Sequence, residues 1–248
     1  MDDLGSVTRT LLSIARIGID DRELARRICQ ACVDGLDIDG ASISLLTASS
    51  SRQTLWATDT TAELLEDLQF SLNEGACMEA ATTGRAIFVA DLHHSMQVAQ
   101  WPVFADAVAA RTTVGALFAL PLQWGAVNIG VLDLYRVVPG PLSTSEQRDA
   151  LAAADTAALM LLGQRTEPFG NPDGLDASSQ DGWLDDATSR HAVVHQATGM
   201  VLVQLGVSAS DALARMRGHA FAHQRLLLDV ARDVVDLRLV FTEDKDDR

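Results

Sequence analysis

Residues 190–241 contain three successive helical patterns with their own start and stop signals, and this succession constrains the fold more than any other feature. In the first pattern, apolar residues recur every three or four positions, as on one face of a helix, at Val194, Ala197, Val201 and Leu205. Ser208 and Asp211 have the spacing of a capping box and predict the start of the second helix. The other two helices are predicted to bury Leu213, Met216, Ala220, Phe221, Leu227, Val230, Ala231, Val234 and Leu237. Three such helices can close one small core.

This stretch resembles the ANTAR domain, a three-helix module of bacterial transcription antitermination regulators. The resemblance rests on the segments HQATGMVLVQLG, SxxDAL, RMRGHAFAH and DVARDVV, which run through all three helices. It implies that residues 188–241 bind RNA, typically paired hairpins in a leader transcript. The RNA-binding residues that it implies are His195, Gln196, Thr198, Gly199, Arg217, His223, Arg225 and Arg232.

The charge distribution agrees with RNA binding, although the net charge of −15 alone would discourage it. Lys and Arg supply most of the non-specific affinity for nucleic acid because they neutralise phosphates. Residues 190–241 hold six arginines against four acidic side chains, and they are the only net-positive part of the chain. The acidic stretches beside them predict weak RNA affinity, or competition with RNA for the arginines.

Two pairs of oppositely charged residues lie in the stretch of the third predicted helix. Arg225–Asp229 and Arg232–Asp236 have the i, i+4 spacing of ion pairs on a solvated face. On the RNA-binding interpretation, Arg225 and Arg232 lie about 10 Å apart along one helix face and fit two successive phosphates. Gly199 costs roughly 1 kcal/mol of helix stability, which predicts close approach of a partner helix or RNA backbone.

Three positions depart from the ANTAR pattern. Many members carry Lys where this chain has Thr198, and basic residues where it has Leu226 and Leu228. The two leucines favour an alternative function, in which an apolar helix face docks on another protein or on a second copy of the chain. This alternative is a protein-interaction or dimerisation module that binds no RNA.

Residues 1–165 combine terminal helices with strongly alternating strands. The strands VGALFALPLQW and VNIGVLDLYRV are separated only by Gly125 and Ala126, and this short connection demands antiparallel pairing. Helices at both ends of an antiparallel sheet predict an α+β sandwich. The segments GASISLL, GACMEAATTGRAIFVADL and VGALFALPL…GVLDLYR resemble the GAF domain over residues 7–164. The resemblance implies a sensor fold with a possible small-molecule ligand, and it leaves the ligand and any cofactor unknown.

The remaining segments predict a linker and a tail. Residues 166–187 are acidic and rich in Gly, Pro and Ser without apolar periodicity, which is typical of a flexible linker, and residues 242–248 are predicted to be disordered. The absence of an eighteen-residue apolar run and of a signal-peptide pattern predicts a cytoplasmic protein with no membrane partner.

Some of the cysteines and histidines have spacings that occur in redox or metal sites. Cys29 and Cys32 have the spacing of a redox or zinc motif, but inside an amphipathic helix they are typical of a core. Cys77 precedes a helix start, where the dipole could lower a thiol pKa, and it leaves open a GAF-fold free methionine sulfoxide reductase. The pairs His191–His195 and His219–His223 have metal-binding spacing but no further ligand in sequence.

The sequence therefore predicts no catalytic residues, no metal site and no enzyme. It predicts a signal-responsive transcription antitermination regulator, in which a GAF sensor controls an ANTAR domain. Because two hairpins need two binding domains, the resemblance also implies a homodimer.

Overall fold

The computed structural model describes residues 5–14, 20–46, 52–94, 99–125, 127–163 and 192–242 of the 248-residue chain. The chain divides into two compact units, Met1–Asp181 and Gly182–Arg248. The predicted linker, residues 166–187, lies outside the described residues, as do His191 and residues 243–248 of the predicted tail.

The first unit is a five-stranded antiparallel sheet with strand order β2-β1-β5-β4-β3, flanked by helices. This architecture confirms the predicted α+β sandwich. Its strands are β1 (Gly40–Leu46), β2 (Arg52–Ala57), β3 (Ile87–Val89), β4 (Ala116–Trp124) and β5 (Val127–Arg136). Its helices are α1 (Ser6–Ile14), α2 (Asp21–Gly35), α3 (Thr60–Leu72), α4 (Ala76–Thr83), α5 (Pro102–Arg111) and α6 (Thr144–Gly163).

Helix starts in this unit are fixed by side-chain oxygens. A capping box before α6 forms reciprocally, because the Glu146 backbone N–H donates to Ser143 Oγ at 3.2 Å and the Ser143 N–H donates to Glu146 Oε2 at 2.8 Å. Gln69 Oε1 accepts from the Cys77 N–H at 2.8 Å at the start of α4. Asp149 of α6 accepts from the backbone N–H groups of Val7 and Thr8, so it ties α1 to α6.

Strand register separates polar from apolar side chains between the two faces of the sheet. On β1 and β5, Ile43 lies opposite Leu132, and Ser42 lies opposite Asp133. Since successive side chains of a strand point to opposite faces, the apolar pair faces the layer of α1, α2 and α6. Ser42, Ser44 and Asp133 face the layer that contains α3 and α4. A set of polar groups is therefore enclosed under that layer.

The second unit consists of α7 (Ala192–Leu205), α8 (Ala209–Ala222) and α9 (Leu227–Val235), which pack against one another. Its core is formed by Val194, Ala197, Val201, Leu205, Ala212, Met216, Ala220, Leu227, Leu228, Val230, Ala231 and Val234. The predicted burial of Phe221 and Leu237 was wrong, since they are 62% and 69% exposed. Phe221 follows Ala220 outside the buried stripe of α8, and Leu237 lies beyond the end of α9.

Candidate functional sites

The predicted RNA contacts on α7 separate into exposed and buried residues. His195, Gln196 and Gly199 are exposed, and a Cβ atom added at Gly199 would meet no described atom within 4 Å. Thr198 is only 9% exposed, and its Oγ1 donates to the Val194 carbonyl oxygen at 2.7 Å. The prediction of Thr198 as an RNA contact therefore needs correction, because its side chain faces the core between α7 and α8.

A compact group of aromatic and basic side chains lies around the end of α8. The imidazole rings of His219 and His223 stack with centroids 4.1 Å apart, and the Phe241 ring meets His219 edge-on at 5.4 Å. Burial, followed by the charges of His223 and Arg225, lowers the pKa of His219. We call His219, His223, Arg225 and Phe241 the His/Arg cluster. His219 and Phe241 were not among the predicted contacts, although the histidine pair was visible as an i, i+4 spacing.

Asp233 holds two arginines beside this cluster. Arg225 Nη2 donates to Asp233 Oδ2 at 2.6 Å, and Arg238 Nε donates to Asp233 Oδ1 at 2.7 Å. These hydrogen bonds, Arg225 first, lower the pKa of Asp233. Arg238 also pairs with Asp236 at 2.7 Å. These carboxylates therefore neutralise part of the positive charge that the two arginines bring to this surface.

The predicted ion pairs were wrong in their partners. Arg225 precedes α9, so it reaches Asp233 and the Asp229 backbone carbonyl instead of the Asp229 carboxylate. Arg232 contacts Asp229 at 3.4 Å instead of Asp236. Since only Arg232 lies inside the helix, the expected helical spacing between the two arginines does not apply.

The remaining predicted residue, Arg217, is half-buried on α8, and burial lowers the pKa of its guanidinium. The leucines behind the docking alternative are also withdrawn from the surface. Leu228 is 6% exposed in the three-helix core, and Leu226 is half-buried at the N-cap of α9. An apolar docking face built on these two leucines is therefore wrong.

The first unit contains a buried polar cluster between β1, β2, β5, α3 and α4. Arg52 Nη2 donates to Glu66 Oε2 at 2.7 Å, and these side chains are 4% and 1% exposed. Ser42 Oγ donates to Glu66 Oε1 at 2.8 Å, and Arg52 Nη2 also donates to Ser44 Oγ at 3.0 Å. Ser44 Oγ lies 3.7 Å from Cys77 Sγ. We call Arg52, Glu66, Cys77 and Asp133, with the serines that bind them, the sensor cluster.

Glu66, Cys77 and Asp133 offer ligand atoms that all lie within 4.8 Å of one another. Burial and then the charge of Glu66 raise the pKa of Asp133. Burial opposes the charged guanidinium, but the Cys77, Glu66 and Asp133 groups together raise the pKa of Arg52. Sequence spacing missed this set because its members come from separate elements. The visible signal was the alternation of Ser42 and Ser44 with apolar residues on a buried strand.

The cysteines are buried in the core of the first unit. Cys29 and Cys32 of α2 are fully enclosed, which confirms their interpretation as core residues, and burial raises the pKa of Cys32 to about 12. Cys77 lies in the first turn of α4, where a helix dipole could lower a thiol pKa. Burial outweighs any such effect, because it raises the pKa of Cys77 well above its ordinary value.

Comparison with known families assigns both units. The GAF domain family model matches residues 19–162, which is more than half of the chain. The chain belongs to the GAF domain family. The ANTAR domain model matches residues 184–235, so the GAF domain is followed by an ANTAR domain in the expected order. GAF is a sensor domain, and ANTAR is an RNA-binding antitermination module.

Solved structures share the GAF fold. The chain is similar to the GAF domain from Acinetobacter phosphoenolpyruvate-protein phosphotransferase, with a TM-score of 0.50, 12% identity, and coverage of 67% of this chain and 96% of that one. It is also similar to the GAF domain of the Coxiella burnetii phosphoenolpyruvate-protein phosphotransferase, with a TM-score of 0.50 and 10% identity. This match covers 64% of this chain and 93% of that one. Likeness at this identity shows the fold alone. No curated protein matches the chain in sequence.

A search for membrane-spanning helices covered the described residues. No single helix there has the length and apolarity of a span, although α7 and α8, bent by 103°, meet the criteria as a pair.

Proposed function

We propose that the chain is a signal-responsive transcription antitermination regulator, in which the GAF domain controls binding of hairpin leader RNA by the ANTAR domain. The observation that carries this proposal is the presence of both domains on one chain, in this order. Their combination favours a regulator over an enzyme. We propose that this regulator acts on RNA in the cytoplasm and has no membrane partner.

The ANTAR surface supports RNA binding through its exposed polar groups. The His/Arg cluster combines stacked rings with a guanidinium, and proteins use these groups to stack on unpaired bases and to contact phosphates. Arg232 is 56% exposed at its side chain and remains available to phosphate. His195, Gln196 and Gly199 offer a second exposed group on α7.

We also propose that the regulator acts as a homodimer, since paired hairpins require two ANTAR domains. A signal in the GAF domain would alter α6, which packs on β4, β5 and α1. Changed α6 packing would alter the dimer geometry and thereby the spacing of the RNA-binding domains.

Titration of the full chain with RNA tests the function. A leader RNA with two hairpins should bind more tightly than either single hairpin, because the second contact becomes intramolecular. Arg225→Ala should weaken binding by about tenfold, since a lost arginine contact costs roughly 1–3 kcal/mol. Arg85→Ala, an exposed arginine of the GAF domain between α4 and β3, is the matched control and should leave the affinity unchanged. Absence of binding at low salt, or equal effects of both variants, would contradict the proposal.

A protein-interaction module is the second candidate, and its apolar surface would consist of residues other than Leu226 and Leu228. Val203, Phe221, Leu237 and Val240 of the ANTAR domain are between 55% and 77% exposed. Light scattering after size exclusion separates the candidates. Tight self-association that Phe221→Ser disrupts, with no RNA binding, would favour the interaction module over the RNA-binding regulator.

A further inference from the structure

The sensor cluster contains a carboxylate oxygen that lacks a hydrogen-bond partner. Asp133 Oδ2 is enclosed, and no described group donates a hydrogen bond to it. A carboxylate oxygen of Asp133 lies within 4.8 Å of the ligand atoms of Glu66 and Cys77, and both of these side chains interact with the Asp133 carboxylate. An enclosed polar atom without a partner is costly, because it has lost water and gained nothing in exchange. This atom therefore points to a ligand that binds at the cluster.

The charges around this oxygen favour a cation as that ligand. Glu66 is paired with Arg52 at 2.7 Å, so these two side chains balance each other. Burial favours the neutral forms of Asp133 and Cys77, so each would add one negative charge only when a bound metal displaces its proton. Because Arg52 and Glu66 cancel each other, the two charges of deprotonated Asp133 and Cys77 remain. A divalent cation would balance these two charges.

We propose that Glu66, Cys77 and Asp133 bind a divalent transition-metal ion of the Zn²⁺ class. A thiolate with two carboxylates suits Zn²⁺, Co²⁺ or Fe²⁺, whereas Mg²⁺ and Ca²⁺ prefer oxygen ligands alone. Three protein ligands leave a fourth position open for water or a small ligand. The site does not depend on RNA binding, so it goes beyond the proposed function.

The surrounding hydrogen bonds leave room for coordination and would orient the ligands. Glu66 Oε1 accepts from Ser42 Oγ at 2.8 Å, and a carboxylate oxygen has a second lone pair for a metal. Arg52 and Ser42 hold the Glu66 carboxylate in place, as outer groups do in metal sites. The Gln69 side chain fixes the backbone of Cys77 at 2.8 Å. All three ligands are thus held by helices and a strand instead of loops.

Cobalt titration of the metal-free full chain tests this site directly. Binding of Co²⁺ should produce a sulfur-to-cobalt charge-transfer band in the near ultraviolet, at one ion per chain, and added Zn²⁺ should remove it. Cys77→Ser should abolish the band. Cys32→Ser, a buried cysteine of α2 outside the cluster, is the matched control and should retain it.

A second variant keeps the test decisive if Cys77→Ser fails to fold. Asp133→Asn should weaken Co²⁺ binding at least tenfold and abolish the rise in Tm that Zn²⁺ causes in the parent chain by binding only the folded state. The absence of a charge-transfer band in the parent chain would overturn the proposal. So would a band that survives in Cys77→Ser or disappears in a folded Cys32→Ser.

Discussion

The two domains use the same ion-pair chemistry at different depths. In the GAF domain, Arg52 and Glu66 are 4% and 1% exposed at their side chains, while in the ANTAR domain Arg225 and Asp233 are 36% and 21% exposed. Breaking a buried pair leaves a charge without water or partner, whereas exposed pairs contribute little and are screened by salt. The depth of a pair therefore separates a fixed structural contact from one that can exchange its partner for phosphate.

The largest expected effect is on the stability of the GAF domain. Arg52→Met should lower the free energy of unfolding by about 3–5 kcal/mol, because it leaves Glu66 enclosed without its cation. Urea denaturation followed by circular dichroism measures this loss. The double variant Arg52→Met/Glu66→Leu should recover much of it. A loss below about 1 kcal/mol for the single variant would mean that the Arg52–Glu66 pair contributes no more stability than an exposed ion pair.

At the exposed pairs, removing a carboxylate should strengthen RNA binding. Asp233→Asn releases Arg225 and Arg238, which Asp233 holds at 2.6 and 2.7 Å. We expect RNA affinity to rise about threefold to tenfold at low salt, since both guanidinium groups become available to phosphate. Fluorescence anisotropy measures the affinity, and Asp106→Asn on α5 of the GAF domain serves as the control. An affinity loss would mean instead that Asp233 positions Arg225 for RNA.

The pH dependence of RNA binding should show whether the histidines of the His/Arg cluster contact RNA. Burial and then the neighbouring charges lower the pKa of His219 below its ordinary value of 6.5, so the ring is largely neutral at pH 7. Phosphate favours the protonated ring, so RNA affinity should rise a few-fold as the pH falls below 6.5, toward the lowered pKa of His219. His219→Gln should flatten this rise, while His94→Gln in the GAF domain should not. An affinity independent of pH would remove the histidines from the interface.

The smallest expected effect concerns Thr198. Its hydroxyl donates to the Val194 carbonyl oxygen inside the three-helix core, so Thr198→Val should cost less than about 1.5 kcal/mol of stability. RNA affinity should change by less than about twofold, because the side chain is not at the surface. A tenfold loss of affinity in a folded Thr198→Val variant would return this residue to the RNA-contacting set.

Local patterns predicted most of the fold. The three- and four-residue periodicity identified the buried stripe of α7, and the spacing of Ser208 and Asp211 predicted the start of α8. These signals succeed because caps and amphipathic faces depend on residues one helical turn apart.

The sites were less predictable because their partners are set by tertiary structure. Glu66, Cys77 and Asp133 come from α3, α4 and β5, and no spacing in the sequence joins them. The i, i+4 spacing predicted an ion pair between Arg225 and Asp229. Because α9 begins only at Leu227, the Arg225 side chain contacts the Asp233 carboxylate instead. Many family members carry Lys at the position of Thr198, and nothing in the sequence indicated that the Thr198 hydroxyl would donate to the Val194 carbonyl oxygen.

The salt dependence of RNA binding tests the central claim most directly, namely that exposed arginines of the ANTAR domain exchange carboxylates for phosphates. The slope of log affinity against log salt should be shallower by roughly 1.4–1.8 in Arg225→Ala/Arg232→Ala than in the parent chain, since each lost phosphate contact removes roughly 0.7 with single strands and roughly 0.9 with duplex DNA. Equal slopes for the two proteins would contradict the claim and would exclude these arginines from the phosphate contacts.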